Sequence, residues 1–142
     1  MLSNIKRLCS RFYNWVSRRQ RPVTPYWGGV SDILEWYDGP QLVYMTELDY
    51  YGNPIAELIC VLQKEDWYLG AILTPALKEK FNTGKIDLRS IYESQPLCRV
   101  TPELFGYYKI VPIESPIKEE YLPLPGFYLD SEGRVPHNFH RS

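Results

Sequence analysis

Five carboxylates crowd into a short central stretch: Glu35, Asp38, Glu47, Asp49 and Glu57. Two carboxyls held together in an enclosed site are the apparatus of general acid–base catalysis, because the closed environment raises one pKa while its neighbour stays ionised. Strand pairing could bring two of these five across one face, though the sequence does not say which. A solvated surface is the competing and stronger reading, and Asp38 and Asp49 sit in turn sequences that explain them without chemistry. His137 and His140, spaced three apart, would share a metal on one helical turn, but Pro136 and the chain end oppose a helix there. No metal and no cofactor is therefore expected. Asp87 and Arg89 make a second charged pair whose local work, capping a helix and reaching a nearby acid, accounts for both. Walker A, G-x-G-x-x-G, G-x-S-x-G, H-E-x-x-H and C-x-x-C patterns are all missing, so an enzyme reading has no familiar signature behind it.

Binding chemistry is better represented. Aromatic residues make up 15% of the chain, more than one small core needs. They fall in doublets: Tyr26-Trp27, Trp36-Tyr37, Tyr50-Tyr51, Trp67-Tyr68 and Tyr107-Tyr108. In a strand, successive side chains point to opposite faces, so each strand-borne doublet sends one ring away from the core. Trp36, Tyr37, Trp67 and Tyr68 are thus candidate partner contacts on a sheet face that helices leave open. The alternative is that residues 117–127 pack over these rings.

The elements that would position them follow from residue type and punctuation. Segments 33–37, 42–48, 55–63, 67–73 and 107–113 are rich in β-branched and aromatic residues, and the first four are separated by Asp38-Gly39-Pro40, Tyr51-Gly52-Asn53-Pro54 and Lys64-Glu65-Asp66. Connections this short join antiparallel neighbours. Residues 55–62 are apolar at both parities except Glu57, as expected of a strand covered on both faces. Thr74-Pro75 opens a helix as N-cap and first-turn proline, and Gly84 is placed to end it. Asp87 opens a second short helix carrying Leu88, Ile91 and Tyr92 on one side, and Thr101-Pro102-Glu103 repeats the capping pattern for a single turn. Pro112, Pro116, Pro123 and Pro125 make the rest an extended, wrapping tail. The fold class is α+β: an antiparallel meander of about five strands with one or two short helices.

A separate amphipathic helix precedes it. Leu2, Ile5, Leu8, Cys9, Phe12, Tyr13, Trp15 and Val16 fall on one arc of a helical wheel, opposite Lys6, Arg7, Arg11 and Arg18. The organisation is then a basic helix over 1–22, a linker over 23–30 broken by Pro22 and Pro25, and one domain over 31–142. Residues 1–22 contain six basic side chains and no acid, whereas 23–63 contain six acids and no Lys or Arg. The acidic domain should repel nucleic acid. Phe12 and Trp15 would anchor the helix on a partner's groove, on its own domain, or on an anionic membrane surface. Cys9, Cys60 and Cys98 are odd in number and unpaired in spacing, which suits reduced thiols and a cytoplasmic setting, peripheral at the membrane if the helix lies there.

The run Trp36-Tyr37-Asp38-Gly39-Pro40, then Gly52, Trp67-Tyr68-Leu69 and Gly84-Lys85-Ile86-Asp87-Leu88-Arg89 resembles a widespread bacterial domain of unknown function. In that family a D-G-P turn leads into a hairpin and a small helix closed by a G-x-I-D-L-R segment. The resemblance covers residues 33–96, carries no catalytic residues, and implies a bacterial or phage cytoplasmic module. The functional expectation is a non-catalytic protein-binding or regulatory module with an acidic aromatic face. A small enzyme with an unfamiliar carboxylate site and a membrane-surface adaptor are the alternatives.

Overall fold

A computed structural model describes residues 26–36, 40–103 and 106–130. The helix read over 1–22 lies outside these residues, as do Cys9, His137 and His140. The order is β1 (Tyr26–Trp36), β2 (Pro40–Leu48), β3 (Pro54–Leu62), β4 (Tyr68–Leu73), α1 (Pro75–Asn82), α2 (Leu88–Ser94), β5 (Leu97–Pro102) and β6 (Tyr108–Pro112). Each strand is antiparallel to the next, and β6 pairs with β1, so the six-stranded meander closes into a barrel. The antiparallel α+β expectation holds, with six strands rather than five. The missed strand is β5, whose last residues Thr101 and Pro102 imitate a helix cap but instead pair with Lys109 and Tyr108 of β6. The first strand also starts earlier than expected, at Tyr26 inside the stretch read as linker, because 26–28 are needed to close the barrel against β6.

Local chemistry sets the joints. Thr74 Oγ1 accepts from Leu77 N–H at 3.1 Å with Pro75 at the first helical position. At the other end Lys85 N–H reaches Lys80 O at 2.8 Å and Gly84 N–H reaches Phe81 O at 3.1 Å, a Schellman stop that Gly84 permits with φ +70°. Asp87 caps α2 by accepting from Ser90 N–H and Ser90 Oγ, and its second oxygen accepts from Gly126 N–H at 2.8 Å.

Two apolar clusters share the sheet. Val43, Met45, Leu58, Cys60, Tyr68, Ile72, Cys98, Val100 and Ile110 fill the barrel, in keeping with the narrow bore of a small barrel. The alternate residues Leu42, Tyr44, Ile59, Val61, Trp67 and Leu69 face outward and are covered by Phe81, Leu88, Ile91 and Tyr92 of the helices. The Tyr92 hydroxyl lies 2.6 Å from Ile59 O and 2.8 Å from Leu69 O, its single proton shared between carbonyls of two adjacent strands under the helix. Strand β3 is therefore covered on both faces, as its pattern implies. The segment from Ile113 to Asp130, with one 3-10 turn at Glu119–Tyr121, packs Ile113, Ile117, Tyr121, Leu122, Phe127 and Leu129 onto this outer cluster. Arg89 pins it with paired bonds to both oxygens of Glu119, at 2.8 and 2.7 Å, and one to Pro123 O at 3.1 Å.

Candidate functional site

Among the described residues these carboxylates do not come together in a pair. Glu47 is opposite Ala56, shares the inward parity of Val43 and Met45, and is fully buried. Glu57 is opposite Thr46 and takes the outward parity, so the sheet separates these two acids. Glu35 lies opposite Leu42, four residues along β2 from the partner of Glu57. Asp49 does turn work, its carboxylate accepting from Tyr51 N–H and Asn53 N–H at 2.9 Å each, and Asp38 lies outside the described residues.

What gathers around Glu57 is a polar set in an open groove of about 270 Å³ lined by Glu57, Leu73, Pro75, Lys78, Glu79 and Asn82. Lys78 and Asn82 lie one turn apart on α1 and therefore face the sheet together. Lys78 Nζ is 2.7 Å from Glu57 Oε2 and 4.7 Å from the centre of the Tyr44 ring, and Tyr44 Oη donates to Asn82 Oδ1 at 2.5 Å. Burial, reinforced by Glu57 and Asp32, pushes the Tyr44 phenol well above its ordinary range. A protonated phenol locked as a donor and an ammonium matched to a carboxylate and a ring are suited to tying α1 to β2 and β3. The raised pKa of the phenol is the opposite of the lowered one that activates a nucleophile.

The thiols are also withdrawn. Cys60 and Cys98 lie on either side of Gly70 inside the barrel, both fully buried, and burial pushes the Cys60 thiol far up. Among the described residues no cluster of three or more His, Cys, Asp or Glu could hold a metal ion.

The aromatic contacts need revision. Trp67 is only 5% exposed, covered by the edge of Tyr121 at 5.3 Å and by the Arg99 guanidinium at 4.1 Å. Tyr68 is 3% exposed inside the barrel, its hydroxyl donating to Pro40 O at 2.8 Å. Neither is an open contact, because the face opposite the helices is the interior of a closed barrel and the tail covers Trp67. Trp36 is the last residue of β1; Phe12, Trp15 and Tyr37 fall outside the described residues.

The exposed rings are elsewhere. Tyr50 and Tyr51 stand 94% and 84% exposed at the β2–β3 turn, in edge-to-face contact at 5.4 Å. The turn that carries them is stiff: besides the two bonds to the Asp49 carboxylate, Asp49 N–H donates to Asn53 O, Gly52 N–H donates to Asp49 O, and Gly52 takes φ +82°. The sequence signal was the doublet's position in a turn, where no pleat offers either ring a core. Around it, β1, β2 and β3 are built from the stretch 23–63 that has no Lys or Arg, with Asp32 exposed and Glu35 half-buried. Among the described residues no helix is long and apolar enough to cross a membrane.

Compared with protein-family models, curated proteins and solved structures, the chain finds no match.

Proposed function

We propose that this chain is a non-catalytic protein-binding module of a bacterial or phage cytoplasmic system, in which the acidic β1–β3 wall and its turn-borne tyrosines meet a partner protein. The observation that carries the reading is the Tyr50–Tyr51 pair, almost fully exposed on a turn braced by Asp49. Two large rings left in water gain nothing for the isolated fold. On a rigid turn they offer contact area at low conformational cost, which is how tyrosine acts in binding surfaces. Phe12 and Trp15 of the basic segment, with Trp36 and Tyr37, complete the proposed contact set; Trp67 and Tyr68 leave it because they are buried.

The test is affinity capture from the native host with the full chain and with its Tyr50→Ser/Tyr51→Ser variant, both verified as folded by circular dichroism. A protein retained in stoichiometric amount by the wild type and lost from the variant is the expected result. No protein retained by the wild type, or equal retention by both, would overturn the proposal.

A further inference from the structure

Strand β1 has 11 residues and the strand it closes upon, β6, has five. The two pair only through Tyr26, Trp27 and Gly28. From Gly29 to Trp36 the strand is paired by β2 on one side, and among the described residues no strand pairs with the other. Val30 and Ile33 lie directly opposite Met45 and Val43, both members of the barrel interior, so their side chains belong to the apolar face. They are nevertheless 38% and 42% exposed. Asp32 and Glu35 lie opposite Tyr44 and Leu42, on the outer face. The open edge thus offers interior-type apolar side chains on one face and acids on the other.

A strand edge of this kind is a template for pairing with another chain, main-chain bonds supplying affinity and alternate side chains supplying specificity. Register shifts between Val30 and Asp32 and between Ile33 and Glu35 twist this edge, and Ile33 N–H is taken by the carboxylate of Asp32 at 2.9 Å. Unselective sheet growth is hindered by both, so a partner has to match this stretch. Charge names its chemistry, because Asp32 and Glu35 lie on this strand and β1 itself has no Lys or Arg. We infer that the open side of β1 over residues 29–35 is a strand-addition site for an extended segment of a partner protein in which apolar and basic residues alternate. The inference rests on the binding-module reading and specifies its mode.

The probe is a short synthetic peptide of alternating lysine and valine, added to the full chain while amide hydrogen exchange is followed along the sequence. Exchange over 29–35 should slow about tenfold, and methylating alternate backbone nitrogens of the peptide, which keeps every charge and side chain, should weaken binding about tenfold. The pair Asp32→Asn/Glu35→Gln, which keeps an acceptor for Ile33 N–H, should weaken it about fivefold. Absence of binding, equal binding of the methylated peptide, or protection elsewhere would overturn strand addition. So would protection, in the free chain, of those 29–35 amides that β2 does not bond, concentration-independent if residues 1–25 fill the edge and lost on dilution if a second copy does. A natural partner retained equally by the wild type and by Asp32→Lys/Glu35→Lys would overturn strand addition while leaving the binding module standing; absence of any retained partner would overturn the module itself.

Discussion

Gly70 sits in the middle of the barrel wall with Cys60 on one neighbouring strand and Cys98 on the other, and an alanine there tests whether the interior is as full as it looks. A Cβ at this position would stand 2.9 Å from Cys98 Sγ, 3.2 Å from Cys60 Sγ and 3.3 Å from Leu58 Cδ2. The sulfur must retreat by several tenths of an ångström, and the residues behind it, Val43, Met45, Val100 and Ile110, are 0–1% exposed and leave it little space. Overpacking of this kind costs about 1–3 kcal/mol. Loss of glycine's freedom in the unfolded chain returns about 0.4–1 kcal/mol, so Gly70→Ala should destabilise by about 1–2 kcal/mol net. Cys98→Ala alone should cost about 1–2 kcal/mol through the lost buried sulfur and the space it leaves. In the double variant the new methyl occupies that space, and stability should match Cys98→Ala alone, a coupling of about 1 kcal/mol or more. Urea unfolding with a common m-value measures all four corners of the cycle. A Gly70→Ala chain at least as stable as the wild type, or additivity within about 0.5 kcal/mol, would show that the thiols do not fill the barrel as described.

Gly28→Ala should be worse, about 3 kcal/mol, because its Cβ would meet the backbone carbonyl oxygen of Thr46 at 2.6 Å as well as Ile110 Cδ1 at 2.8 Å, and backbone does not move aside; thermal denaturation reads this directly. Tyr92→Phe should lose about 1–2 kcal/mol, since its one buried proton is shared between Ile59 O and Leu69 O; a loss under about 0.5 kcal/mol in denaturant unfolding would contradict that geometry. For Asp87, burial works to raise the carboxyl pKa, but bonds from Ser90 and Gly126 outweigh it and the net shift is downward. A depressed folded-state pKa means a contribution that is complete above the unfolded value and fades as pH falls below about 4. Asp87→Ala should therefore cost about 1 kcal/mol at neutral pH and show a flatter stability profile between about pH 2 and 5 than the wild type, measured by unfolding across that range.

The joints of this protein were legible residue by residue because each is local. Thr74-Pro75, Gly84, Asp87 and the Asp49 turn satisfy backbone groups within a few positions of themselves, and the types needed for that chemistry appear at the right spacing. Residues 55–62 announced a strand covered on both faces by being apolar at both parities. Alternation, by contrast, tells which residues share a face without telling what that face meets. Only the contact of β6 with Tyr26, Trp27 and Gly28, far apart in the chain, turned one face of the meander into an interior. That closure buried Tyr68 and Glu47, and the returning tail buried Trp67, so rings that periodicity alone sent outward ended inside. β5 was hidden for a related reason: Thr101-Pro102 is a helix cap by local rules and a strand end once β4 and β6 supply ladder partners. The open edge at 29–35 had no sequence signal, since it exists only because β1 outruns the strand that closes the barrel. Short-range hydrogen bonding and residue pattern thus determined the elements and their ends. The faces, the closure and the open edge of β1 were decided by pairings between distant segments, whose energy no single stretch of chain contains.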